Sequence, residues 1–487
     1  MPKLLLLLLS LVFISVLGSQ WLPVDGVQTS SADLAYLRSF AAATGADNAL
    51  GWHVGSDPCE DHWPGLHCYD GKATNIDVQG KQLLGTVPDT ENGSLSSLQV
   101  LNLGDNRFTG KLPLLDLPQL YILRVDNNDF RNMPDKFFSG MPMLQYINIT
   151  NNTALAEWGF STVDMRSLPA LFSFHANNAG LNGTLHQLFS NTTAGFPFPS
   201  LARISMADNQ LSGTMPVLKG TAIRQLDISN NRLSGSIIFI TDLASSANRL
   251  QLSHNAFTGS LPDFSEFTQL SVLSVDHNQI TGIVPSSLPR LEDIKSVYLS
   301  GNLLQGPVPE FNISVHTDVA KASATGSFCR LDRGPCAPEV ESLLLIAGAF
   351  GYPHSLAASW MRNDPCAGWI GVHCDDRRRV TGIDLSRLGL SGTMDSAFGS
   401  LRSLEAIDLS GNNITGEIPA SVAQLPSLRV IDVSNNNLVG TMPKFRHNVA
   451  VWTEGNPGLK QSGSSVYALN SVGLSALCLL CLLFSSI

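Results

Sequence analysis

Six cysteines outside the C-terminal apolar run form three close pairs: Cys59 with Cys68, Cys329 with Cys336, and Cys366 with Cys374. Thiols at such spacing either close disulfides or ligate zinc, and His62, His67 and His373 lie beside two of the pairs. Ligand pairs at ordinary zinc spacing are missing, so three local disulfides are the simplest reading, and they imply an oxidising compartment. Asp384, Asp408 and Asp432 recur at a constant phase. Three carboxylates in a flat row offer fewer oxygens than the roughly six to eight that Ca²⁺ takes, so no metal and no cofactor is expected. No nucleophile elbow, zinc-protease motif or recognisable carboxylate pair is present, and the chain reads as non-enzymatic. With 30 basic against 40 acidic residues the formal charge is −10, and the one basic run, Arg377, Arg378 and Arg379, adjoins Asp375 and Asp376. Nucleic acid is therefore not an expected partner.

The elements that must carry these residues follow from one repeated pattern. Leu273, Val275, Asn278, Ile280, Gly282 and Pro285 show it cleanly, and ten such strand centres run from Ile76 to Val297. Several steps, Leu123 to Ile147 and Leu273 to Val297 among them, are 24 residues long. Alternation along a strand turns two apolar residues inward and the residue between them to solvent. An Asn five positions after the first of them can bond turning backbone inside the coil; Asn106, Asn128, Asn152, Asn209, Asn231, Asn255, Asn278 and Asn302 form that ladder. Lys81 and Ala179 interrupt it, and long steps at Phe174 and Ile204 imply extra loop residues, including 191–199. Three coils resume at Ile383, Ile407 and Ile431, with Asn412 and Asn436 in the ladder and Leu388 in place of one rung. The expected fold is a leucine-rich-repeat solenoid, a right-handed β-rich horseshoe of the α/β class, in two repeat blocks separated by a disulfide-containing non-repeat island.

The island repeats a plan seen at the N-terminus: an apolar helical stretch, then Trp360, Cys366, Trp369, Gly371 and Cys374 against Trp52, Cys59, Trp63, Gly65 and Cys68. It is expected to act as an internal cap that starts a second solenoid. The expected order is a signal peptide over 1–19, a disulfide cap over 20–75, a repeat block over 76–310, the island over 311–379 and a second block over 380–445. A stalk over 446–471 and a removed apolar tail over 472–487 complete it. The tail is short for a spanning helix and carries no basic flank, while Ser462, Gly463 and Ser464 offer small residues before it. That pattern predicts glycosylphosphatidylinositol (GPI) attachment at the plasma membrane's outer face, with secretion to the apoplast as the alternative.

The island residues Phe328, Cys329, Cys336, Pro338, Gly351, Tyr352, Pro353, Trp360, Asp364, Pro365, Cys366 and Trp369, with Pro443, Lys444 and Phe445, give the chain a sharper likeness. It resembles the ectodomain of TMK-type plant leucine-rich-repeat receptor-like kinases across essentially the whole mature chain. The resemblance implies a plant cell-surface protein in auxin and growth signalling, with an apoplastic auxin-binding protein as one partner. It also implies a membrane helix and a kinase, and no glycine-rich, catalytic-loop or D-F-G kinase sequence occurs here. A separate transmembrane receptor kinase is therefore the expected co-receptor.

Ligand contact is expected on the exposed strand positions. Tyr121, Tyr146 and Phe172 are expected to form one aromatic column on strands about 4.8 Å apart, with Arg124, Asp126 and His175 beside it. Arg203, Arg224 and Tyr298 are further candidates. Glycosylation sequons stand at Asn92, Asn148, Asn151, Asn182, Asn191, Asn312 and Asn413, and a sugar on Asn148 would shield part of the aromatic column. The resulting reading is a non-catalytic receptor-like protein or co-receptor for an extracellular protein or small ligand. The alternative is a secreted decoy or an inhibitor of a cell-wall hydrolase.

Overall fold

The computed structural model describes residues 27–90, 93–160, 167–189, 198–319, 328–330 and 334–460. The signal peptide, the tail, Ser462, Gly463 and Ser464, and the sequons at Asn92 and Asn191 lie outside them. The chain divides into two compact units, Met1–Ala156 with Val163–Leu171, and Glu157–Thr162 with Phe172–Ile487.

In the first unit the helix Ser31–Thr44 is capped by the Ser30 hydroxyl, which accepts from Asp33 N, and stops at Gly45, whose φ is 71°. Asp33 is buried and accepts from Ala73 N (2.9 Å) and Leu95 N (2.8 Å), tying the helix to the first coils. Leu66–Tyr69 runs antiparallel to Lys72–Asp77, and Val100–Asn102, Ile122–Arg124 and Tyr146–Asn148 then add in parallel. Register sets Ile76, Leu101, Leu123 and Ile147 side by side in the core, where each contributes about 1.5–3 kcal/mol.

Each rung of the ladder joins two coils. Asn106 Nδ2 donates to Val78 O (2.8 Å) in the preceding coil and to Leu103 O (3.1 Å) and Gly104 O (3.0 Å) in its own, while its Oδ1 accepts from Leu83 N (3.0 Å). At two of the three replaced rungs, Ala179 and Leu388, the next Asn takes a second amide, whereas Asn106, after Lys81, takes one. Asn209 Oδ1 accepts from Ala179 N and Leu181 N, and Asn412 Oδ1 from Leu388 N and Leu390 N. At Ala179 the indole of Trp158 also donates to the carbonyl (2.7 Å), so an aromatic ring fills part of the missing amide's role.

The second unit stacks parallel strands from Ser173–His175 to Ser296–Tyr298 in one sheet. A six-stranded sheet, from Asn182–Thr184 to Leu303–Gln305, lies on the other side of the same coils. Within the expected non-repeat island, His316–Thr317 pairs with Ser296–Tyr298. The next residue, Asp318, accepts from Leu299 N (2.7 Å) and Ser300 N (3.0 Å), closing amides that a further coil would otherwise bond.

The island packs against this block. Thr281 Oγ1 donates to Tyr352 O (2.8 Å), Gln305 Nε2 to Trp360 O (2.7 Å) and Cys329 N to Gly306 O (2.9 Å). Its helix Pro338–Ala349 and its stacked Trp360 and Trp369 (5.5 Å) match the N-terminal helix and stacked Trp52 and Trp63 (5.0 Å). Val372–Cys374 then runs antiparallel to Val380–Asp384 with a bulge at His373/Cys374, as Leu66–Tyr69 does with its bulge at His67/Cys68. All three local disulfides are formed, with Cα separations of 5.6, 5.7 and 5.7 Å.

Ala406–Asp408 and Val430–Asp432 continue the second block, and one expectation is corrected there. Residues 446–460 do not begin a stalk: Ala450–Trp452 pairs in parallel with Val430–Asp432. Asn456 extends the ladder, accepting from Leu438 N (3.0 Å) and donating to Val433 O (2.9 Å). The rung survives there although the leucine spacing around it has lapsed. Among the described residues no helix is long and apolar enough to cross a membrane.

Candidate recognition faces

In the first unit the residues between the buried strand positions form one hydrogen-bonded array. Arg124 reaches Asp126 through Nε and Nη2 (3.3 Å each) and Gln79 Oε1 through Nη1 (3.3 Å). Asn102 Nδ2 donates to Asp77 Oδ1 (3.1 Å) and Gln79 Oε1 (2.9 Å), Asn127 to Asp105 Oδ1 (2.7 Å), and Asn151 to Asn127 Oδ1 (2.9 Å). Burial lowers the Arg124 pKa, but the hydrogen bond and charge of Asp126 outweigh it and hold the guanidinium above its ordinary value. Arg124 and Asp126 are therefore a fixed pair on the face.

The aromatic column is corrected by the register. Tyr146 stands opposite Ile122, while Tyr121 is one residue earlier, its carbonyl accepting from Gln145 N and Tyr146 N (both 3.0 Å). A one-residue offset moves a side chain off its neighbour's row. Both rings are partly exposed in the first unit, and Phe172 belongs to the second.

In the second unit Phe172 is 43% exposed, with the Arg203 guanidinium 5.6 Å from its ring centroid, a cation–π contact worth about 0.5–1 kcal/mol at an exposed site. His175 bonds Ser173 Oγ (2.8 Å), Arg224 is exposed, and Tyr298 meets the His316 ring edge-on at 5.9 Å. Further along, His254 and His277 from successive coils stack at 4.2 Å beside Asp276. Sequence reasoning missed this group; its only signal is a histidine directly before two consecutive ladder residues, Asn255 and Asn278.

Asp384, Asp408 and Asp432 do stand in adjacent strand positions. Each carboxylate accepts the backbone N–H two residues on, from Ser386 (3.1 Å), Ser410 (2.9 Å) and Ser434 (2.8 Å), so the row caps its own strands. Burial, with the charges of Asp432 and Asp384 adding, raises the Asp408 pKa against the opposing Ser410 bonds. Of the sequon residues, Asn151, Asn312 and Asn413 are exposed, and Asn148 and Asn182 are half-buried.

Leucine rich repeat models match residues 97–115, 269–291 and 378–438, and a Leucine rich repeat N-terminal domain model matches twice, at 30–69 and 336–375. The second match falls on the island's cap. The chain is similar to Receptor-like kinase TMK2 of Arabidopsis thaliana, 34% identical over 407 residues, covering 82% of this chain and 43% of that protein. It is 36% identical to Receptor protein kinase WSS1 of Oryza sativa subsp. japonica over 384 residues, covering 78% and 40%. The chain thus spans less than half the length of these curated relatives. Among solved structures a plant ice-binding protein is similar in fold, with a TM-score of 0.50 and 23% identity, covering 64% of this chain and 99% of that one.

Proposed function

We propose, from the premise that this chain is a leucine-rich-repeat protein related to TMK-type receptor-like kinases, that it is a non-catalytic recognition module of the plant cell surface. It binds an extracellular protein or peptide on its exposed strand faces, with a membrane-spanning receptor kinase as a partner in signalling. The observation that carries this reading is the bonded array around Arg124: its side chains are ordered before any ligand arrives, so binding forfeits little conformational entropy. An open, ordered strand surface suits an extended ligand better than an enclosed small one.

A role in auxin or growth signalling, with an auxin-binding protein as partner, rests on the resemblance to the TMK-type relatives. Lipid anchoring rests on the small residues Ser462, Gly463 and Ser464 and the apolar run after them. Release of the protein from intact cells by phosphatidylinositol-specific phospholipase C tests the anchor.

For recognition, the chain and its Arg124→Ala variant, which breaks the bonded array, are used to capture proteins and peptides from plant apoplastic fluid, read by quantitative mass spectrometry. A species held by the parent and lost by the variant supports the reading. Equal recovery by both removes this face from the proposal.

A further inference from the structure

We propose that His254, Asp276 and His277 form a surface site for a zinc-class divalent cation on the second unit. The three residues come from two successive coils, and their ligand atoms all lie within 4.8 Å of one another. His277 Nδ1 is 3.0 Å and His254 Nε2 3.9 Å from the same carboxylate oxygen, Asp276 Oδ2. Around tetrahedral Zn²⁺, with bonds near 2.0–2.1 Å, neighbouring donor atoms stand about 3.3 Å apart. The first of these separations must therefore open by a few tenths of an ångström and the second close by roughly half of one. The two imidazole nitrogens, within 4.8 Å of one another, must also be brought to about that spacing.

The imidazoles now lie nearly parallel, at 8°, so each ring has to turn for its lone pair to meet the metal. Their side chains are 51% and 52% exposed, which leaves them free to do so. The carboxylate is less free. Its other oxygen, Oδ1, accepts from Ser253 Oγ (2.5 Å) and Ser274 Oγ (2.9 Å), which orients Oδ2 toward the histidines in the way outer-shell partners orient metal ligands.

The next coil carries Gly301 beside the pair. A β-carbon there would come within 2.8 Å of His277 Cδ2, so glycine keeps space open over the ring. Two imidazoles and one carboxylate select zinc or a similar borderline cation over Ca²⁺ or Mg²⁺, which require more oxygens. Remaining positions would go to water or to a donor from the bound partner, making the ion a bridge on the face.

The test uses the purified chain, stripped with chelator and titrated with Zn²⁺ alone by calorimetry. His254 and His277 have φ of 54° and 53°, a conformation that Asn127, Asn230 and Asn435 adopt at the same place in other coils. His254→Asn and His277→Asn therefore keep the backbone, and unchanged melting of the metal-free variants verifies it. One Zn²⁺ per chain is expected, weakened about tenfold or more in either single variant and lost in the double variant. Absence of Zn²⁺ binding by the parent, or binding of equal strength by the double variant, overturns the proposal.

Discussion

The carbonyl oxygen of Asp384 occupies the space that a β-carbon on Gly371 would need, and the Asp384 amide donates to Gly371 O at 2.7 Å. Gly65 and Asp77 repeat the arrangement at the N-terminal cap, with the same 2.7 Å bond. Both glycines have positive φ, 70° and 83°. Gly371→Ala is therefore expected to destabilise the second block by more than the roughly 1–2 kcal/mol of a left-handed alanine alone. Denaturant unfolding of the variant checks it, and an unchanged midpoint would show that the cap tolerates separation.

The disulfide between Cys366 and Cys374 pins the island's cap, and a loop this short contributes about 2.5 kcal/mol. Cys366→Ala/Cys374→Ala should raise protease cleavage within 380–460 and leave 66–156 as resistant as before. Equal loss in both regions would mean that the second cap does not serve the second block in particular.

Asn412 accepts two amide hydrogens, from Leu388 and Leu390, where Asn255 accepts one, from Leu233. Each buried amide left without an acceptor costs about 1–3 kcal/mol. Asn412→Ala should therefore lower stability more than Asn255→Ala, by about the cost of one such amide. The ranking, read from urea midpoints, reverses if neighbouring backbone relaxes to rebond the freed groups.

Asp408 has a raised pKa because it is buried between Asp384 and Asp432. From the ordinary aspartate range up to that raised value, the folded chain keeps a proton that the unfolded chain has released, so stability falls as pH rises through this window. Asp408→Asn can still accept from Ser410 N, and it should stabilise the chain at neutral pH with a gain that disappears below the ordinary aspartate range. A variant less stable than the parent at pH 7 would show that the charge is held favourably.

Strand centres and most ladder rungs were legible because a buried apolar pair and a buried amide are strict requirements of each coil. Local cysteine pairing was equally legible, since partners only seven to nine positions apart can close small loops. Trp158 standing in for a rung at Ala179 was not, because the two are 21 residues apart and no repeat rule links them. The coil around Asn456 was missed because the residues flanking it no longer keep the leucine spacing. On the faces, Tyr121 and Tyr146 differ by one residue in register, and the grouping of His254 with Asp276 and His277 depends on stacking across coils. Exposed positions face weak packing constraints, so their sequence says little until the coils are laid side by side.

Recognition through the strand faces is tested most directly by photo-crosslinking on intact plant cells, with a photoreactive residue placed at Tyr121, at Phe172 or at Val217. Val217, with 78% of its surface open to solvent, lies in the connection between the strands Gln210–Thr214 and Gln225–Asp227, whereas Tyr121 and Phe172 each directly precede a strand. Strand-face recognition predicts discrete adducts from Tyr121 or Phe172 and none from Val217. Adducts from Val217 alone, or the same adducts from all three positions, would contradict it.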